Sequence, residues 1–252
     1  MHLSSSSSSS GGGGSSSMAP VAIGLVLAVQ VYVFGPVSGG FLNPAVVLAV
    51  LMTGRRKISF PHTVLYAVAE VLGAIAGGFC AFAATGRTFC LDYALTRSVG
   101  ASFEFEVLFT AVLCMSVLSV GTSNDAPNQY FGFAIGMTLT GCALAVGDLH
   151  QCSLNPAVAL GMNLANYANS DAAHHPSGGA WALFLLAPML GGVLAAIVFC
   201  STRGNEYESP AEVLAQPVQT SATAHSGYSG WSLITWMSST SRRPSSISAV
   251  DV

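Results

Sequence analysis

Five long apolar stretches, separated by short polar ones, set the pattern of this chain: Ala19 to about Pro36, Ser59 to Ala84, Phe103 to Val120, Gln129 to Gly147 and Ala180 to Cys200. Each approaches or exceeds the ~20 apolar residues that a helix needs to cross a bilayer core, so the pattern predicts five membrane spans. Two further apolar stretches, Pro44–Thr53 and Pro156–Asn163, are only about half that length and cannot cross. Each opens on the same five residues, Leu42-Asn43-Pro44-Ala45-Val46 and Leu154-Asn155-Pro156-Ala157-Val158, at an offset of 112. Asn can cap the first turn of a helix, and Pro fits the first helical position because its absent N–H is not needed there. A half-length helix that begins in this way suits a re-entrant element, tolerated in a membrane where it lines a watery cavity or packs on protein. One Asn-Pro pair is a common turn; two identical words, each after a long apolar stretch, are specific.

The polar segments divide the chain into a low-complexity Ser/Gly tract at 1–17, a membrane domain at 18–200 and a Ser-rich, disordered tail at 201–252. Composition agrees: 52% of the 252 residues are hydrophobic, 8% are charged and the mean hydropathy is +0.60, whereas a soluble domain carries about a quarter charged residues. A net charge of −3 argues against a nucleic-acid partner. The six cysteines lie mostly inside apolar runs without metal-ligand spacing, which makes them small buried hydrophobes. No metal, cofactor or catalytic group is expected. Arg55-Arg56-Lys57 and Arg203 fall on one side of a five-span arrangement, with Arg242 and Arg243 of the tail; only Arg87 and Arg97 fall on the other. The first side is cytosolic by the positive-inside rule.

An internal repeat extends beyond the two words. Gly24 and Gly136 each lie 19 residues before their Asn, and Ala69, Leu72 and Gly73 correspond to Ala187, Leu190 and Gly191 at an offset of 118. Two homologous halves follow, arranged as an inverted pair. Gly73-x-x-x-Gly77 and Gly191-x-x-x-Ala195 are small-residue spacings that let helices approach closely in lipid.

Ser38-Gly39-Gly40-Phe41-Leu42-Asn43-Pro44-Ala45-Val46 and Ser153-Leu154-Asn155-Pro156-Ala157 resemble the two signature loops of the aquaporin family, also called major intrinsic proteins. The resemblance runs from about Ala19 to Cys200. It implies an all-α membrane protein: a helical bundle with two re-entrant half-helices from an inverted repeat, with five full spans here where the family has six. Glu106 and Thr110 resemble the Glu-x-x-x-Thr of the helix that opens the family's second half, and the counterpart of Glu106 falls before residue 1. The family's first helix is therefore expected to be absent, through a truncated gene model (the favoured reading) or a genuinely shortened member.

The resemblance also implies roles. Meeting head to head at the midplane, the two half-helices would each bring roughly half an elementary charge of positive dipole there, a field that opposes cations and protons. Asn43 and Asn155, with their oxygens held by backbone donors, would aim amide N–H groups at passing water, and Ala45 and Ala157 are small enough for the tips to touch. Gly39, Gly40 and Phe41, and Gln151, Cys152 and Ser153, would be extended segments offering carbonyls to water. Phe41 stands where water-selective members commonly have His. Register to the motifs puts a selectivity filter at Ile23, Ala143, Cys152 and Val158, the last at a position usually held by Arg. Isopropyl in place of guanidinium removes a fixed charge and several donors, so the constriction should be wide and apolar. Glu106 would brace the second loop and Glu70, in a position usually taken by Gln, the first; no nucleophile accompanies them as catalytic carboxylates would require.

The function expected is passive conduction of water and small neutral solutes such as glycerol, urea or ammonia, through a multi-pass protein of the plasma or vacuolar membrane. Assembly as a homo-tetramer, or as a hetero-tetramer with full-length paralogues, is implied. A secondary carrier and a non-conducting shortened subunit remain as alternatives. His174-His175 reads as a solvated pair in a polar loop, with a pH sensor as the lesser alternative, Asp148 and His150 as vestibule residues, Trp231–Met237 as a patch too short to span that either lies on a membrane surface or has no role, and Arg242-Arg243-Pro244-Ser245-Ser246 as a candidate kinase target.

Overall fold

The computed structural model describes residues 18–93, 98–124, 129–151 and 153–207, with backbone alone at 148–150. All of them belong to one compact unit, residues 1–208. The tract at 1–17, Arg97, the Asp125–Asn128 link, Cys152, the side chains of Asp148 and His150, and the tail from 208 onward, with Trp231–Met237 and Arg242-Arg243, lie outside the described residues.

Seven α-helices make up the described residues: α1 (Ala19–Ser38), α2 (Pro44–Met52), α3 (Phe60–Thr85), α4 (Val99–Gly121), α5 (Phe131–His150), α6 (Pro156–Tyr167) and α7 (Gly178–Thr202). Four of these, α1, α3, α4 and α7, are long and apolar enough to cross a bilayer. The fifth expected span, α5, has 20 residues and so a length of about 30 Å, but its apolar part is only Phe131–Gly147. The two short helices are α2, with 9 residues, and α6, with 12. Their shortness is built into their starts, since Asn43 and Asn155 cap them in extended conformation with Pro at the first position.

Glycines fix how the helices meet. Gly24 of α1 and Gly136 of α5, mates in the repeat, lie against each other's backbone. A Cβ on Gly24 would come within 2.5 Å of the Gly136 carbonyl oxygen, and one on Gly136 would strike that of Gly24. The pair marks where the two halves cross. The half-helices then pack crosswise: α2, from the first half, puts its Ala45 carbonyl against Gly192 of α7, while α6, from the second, puts Gly161 against Ala74 and Gly78 of α3. Gly191 of α7 seats on the α4 backbone at Val107, as its spacing predicts. Gly73 and Gly77 do not: nothing lies within 4 Å of either, and the close approach on α3 is made by Gly78 instead. A small-residue spacing says that a face can be approached, not which face has a neighbour.

Several expectations shift at their edges. The helix α1 runs through Pro36 to Ser38, although a proline removes one N–H bond and crowds the carbonyl four residues back, and it ends where left-handed Gly39 donates its N–H to the Gly35 carbonyl. Residues 201–207, assigned above to the tail, are ordered: α7 continues to Thr202 and a single 3-10 turn follows at Gly204–Glu206. The reason is Arg55. Its guanidinium, beneath the end of the bundle, bonds Glu206 Oε2 at 3.0 Å, the Thr122 carbonyl at 3.0 Å and the Thr122 hydroxyl at 2.7 Å, with its centre 4.3 Å above the Phe199 ring. Tyr207 closes the same end by donating its hydroxyl to the Thr53 carbonyl at 2.8 Å. Cys90, Cys114 and Cys142 are buried, but Cys80 and Cys200 are exposed.

Candidate functional site

The two repeated words meet. Asn43 donates its side-chain amide to the Leu154 carbonyl at 2.8 Å, and Asn155 donates its own to the Leu42 carbonyl at 2.9 Å. Each bond is the repeat-mate of the other, so the tips of α2 and α6 are joined by a reciprocal pair. The amide oxygens face inward to their own helices: Asn43 Oδ1 accepts from the Ala45 N–H at 2.9 Å, and Asn155 Oδ1 from those of Ala157 and Val158 at 3.0 and 3.3 Å. An amide has two N–H donors, so one on each Asn is spent across the junction. Asn43 is 5% exposed and Asn155 half-buried. Pro44, Ala45, Pro156 and Ala157 are all buried at the junction.

Backbone geometry repeats as well. Leu42 and Leu154 both stand in the left-handed region, at φ 55° and 50°, which a branched side chain adopts only when its surroundings hold it there. Glu106 is the holder in the second loop. Fully buried on α4, it accepts the Ser153 N–H at 2.7 Å on one oxygen and the Leu154 N–H at 2.9 Å on the other. Glu70 of α3 reaches the first loop one residue later, accepting the Asn43 N–H at 2.9 Å, and its second oxygen has no partner.

The approach segments are not simply extended. Gly39 and Gly40 have φ of 78° and 61°, and Gln151 has 72°. Both α1 and α5 run on almost to the motif, so the chain must reverse within a few residues, and left-handed residues do that. Phe41 packs edge-on against Tyr66, with centroids 5.5 Å apart, and Tyr66 donates its hydroxyl to the Ser38 carbonyl at 2.7 Å. Gln151 turns its side chain away to the 86–93 connection, accepting from the Asp92 N–H at 2.9 Å and donating to the Cys90 carbonyl at 3.0 Å. Ser153 bonds its hydroxyl to the Asn155 carbonyl at 3.0 Å.

Of the filter positions, Ile23 is 56% exposed on α1, Val158 is 37% exposed on the first turn of α6, and Ala143 is half-buried on α5. None of the three bears a polar side-chain group, so no hydrogen bond ties them to one another.

Sequence reading missed a strap at the far end of α6. Asn163 grips Leu91 through both backbone groups, accepting its N–H at 2.8 Å and donating to its carbonyl at 3.0 Å. Buried Asp92 accepts the Ser177 N–H at 2.7 Å and its hydroxyl at 3.1 Å, and lies 3.2 Å from His174 Nε2. His174 is thus paired rather than merely solvated. Burial, then the neighbouring Asp92, pushes the Cys90 thiol up to about 11. An Asn late in an apolar half-helix, Asn163, was the available signal: a buried amide needs partners.

An all-helical membrane bundle of two halves, whose half-helices meet tip to tip through reciprocal Asn amides, is the architecture of a membrane channel with re-entrant loops. The comparisons agree. The family profile described as Major intrinsic protein matches residues 2–199, and the chain belongs to that family. It is 36% identical over 193 residues to a glycerol uptake facilitator protein-like 6 of Lactiplantibacillus plantarum, covering 72% of this chain and 82% of that protein. It is 27% identical to aquaporin AqpM of Methanothermobacter marburgensis, covering 71% of this chain and 74% of that one. The solved aquaglyceroporin of Plasmodium falciparum shares the fold with a TM-score of 0.59 at 19% identity, covering 77% of this chain and 85% of that one. The protein is an integral membrane protein of the channel type.

Proposed function

We propose that the chain conducts water and small uncharged solutes passively, with glycerol, urea and ammonia among them. The observation that carries this reading is the reciprocal pair of Asn amide bonds between the α2 and α6 tips. It brings two helix N-termini together, and their positive ends disfavour protons and cations there. The remaining N–H of each Asn is the donor offered to water. Val158, at a position usually filled by Arg, leaves the filter of Ile23, Ala143, Cys152 and Val158 without charge, so bulkier neutral solutes pass. The similarity to a glycerol uptake facilitator supports that width.

Light scattering from liposomes carrying the purified chain tests it. Fast shrinkage in sucrose, re-swelling in glycerol and no collapse of a pH gradient are expected; exclusion of glycerol and urea with water still passing overturns the wide filter. Val158→Arg should cut glycerol flux about tenfold or more while leaving water flux within a few-fold, since about 1.4 kcal/mol of added barrier is a tenfold change in rate.

A further inference from the structure

We propose that Gln151 is a positioning residue for solute selection: its side-chain amide anchors the second loop to the connection after α3 and so holds the neighbouring filter position in place. Given the conduction proposed above, on which this role rests, the repeat supplies the comparison that singles the residue out. Gly39 and Gln151 are mates at the offset of 112, and each ends its helix in the same way. Gly39, at φ 78°, donates its N–H to the Gly35 carbonyl, and Gln151, at φ 72°, donates its own to that of Gly147. Glycine takes this left-handed conformation freely, whereas a residue with a side chain is strained in it. The first loop thus has the residue that the backbone prefers, and the second has one that the backbone disfavours.

What the side chain does there is specific. Its Oε1 accepts the Asp92 N–H at 2.9 Å and its Nε2 donates to the Cys90 carbonyl at 3.0 Å. Asn163 of α6 holds the residue between those two, accepting the Leu91 N–H at 2.8 Å and donating to its carbonyl at 3.0 Å. Two amides therefore clasp residues 90–92 in the alternating pattern by which a β-strand bonds a neighbour on each edge. The clasped stretch is itself fixed: Leu91 is 1% exposed, and the Asp92 carboxylate is held by Ser177 at the start of α7. On its other flank the loop is held by Glu106, through the Ser153 and Leu154 N–H groups. Position 152, proposed for the filter, is the one that falls between the two anchors. None of the filter positions falls in the first loop, and there the outer anchor has no counterpart, because Gly39 has no side chain. A solute that sheds water in a constriction needs replacement partners held at a fixed spacing. Glycerol, with several hydroxyls to satisfy, needs this more than water does.

Solute entry into liposomes carrying the full chain tests this with Gln151→Gly and Gln151→Glu. Gln151→Gly removes both bonds and relieves the left-handed strain, so the chain stays folded, as unchanged elution in detergent verifies. Its glycerol entry should fall about tenfold, equivalent to about 1.4 kcal/mol of barrier, with water entry within a few-fold of the parent's. Gln151→Glu separates anchoring from bulk. Ionised, its carboxylate can take the Asp92 N–H but sets an oxygen against the Cys90 carbonyl; protonated, it offers an O–H there and reproduces the amide's pattern. Glycerol entry through Gln151→Glu should therefore be low at about pH 7 and recover toward the parent's as the pH is lowered to about 4.5. The parent and Gln151→Gly keep Cys90, Asp92 and His174 and should show no such recovery, which controls for those groups. An unchanged glycerol-to-water ratio in Gln151→Gly beside a conducting parent, or a flat pH profile in Gln151→Glu, overturns the positioning role alone. A parent that passes neither solute overturns the conduction reading, and the positioning role with it.

Discussion

Asn43 and Asn155 each do two things with one side chain: cap a half-helix and hold the opposite loop. Asn155→Ala should therefore cost more than a cap. Losing the cap alone costs ~1–2 kcal/mol, and the cross-loop bond to Leu42 goes with it. A lower unfolding midpoint in detergent and a faster collapse of a pH gradient across vesicles are the expected results. Glu106→Gln sets an amide N–H against one of the two backbone donors. A buried donor left unpaired costs ~1–3 kcal/mol, so the thermal midpoint should fall while α4, held elsewhere by its packing on α7, stays helical by circular dichroism. Residues like these were legible because the repeat doubled the signal and the cap is local. Arg55 and Asp92 were not. Their partners Glu206 and Ser177 are far along the chain, and a basic cluster or a loop acid looks the same in sequence whether solvated or buried.

Among the elements, the glycines separate contact from spacing. Gly136→Leu and Gly78→Leu drive side chains into the backbones of α1 and α6 and should abolish monodisperse elution, because overpacked helix crossings do not relax cheaply. Gly77→Leu, in the GxxxG spacing that draws the eye, should elute as the parent does. Helix positions and lengths were written in the apolar pattern to within a few residues. The choice of which stripe on α3 is covered was not, since lipid and protein neighbours ask for the same apolar surface. The left-handed approach segments escaped too, because only the overrun of α1 and α5 toward the motifs forces the reversal.

At the scale of the molecule, one end is closed by charge rather than by apolar packing. Arg55 and Glu206 are 2% and 0% exposed in their side chains, and removing one partner of a buried pair leaves the other uncompensated, at ~3–5 kcal/mol. Arg55→Met should free residues 203–207 from α4 and α2, read as new protease cleavage there, with the half-helix junction intact. The crosswise seating of the short helices has a consequence in time. A ribosome makes α3 well before α6, so the second short helix finds its seat at Ala74 and Gly78 waiting. The first has no such luck: Pro44–Met52 rests on Gly192, which is synthesised after the other six described α-helices have begun. During biogenesis the earlier loop must therefore linger unseated beside the translocon, and α7, the last of the described α-helices to emerge, is the one that locks the first loop home.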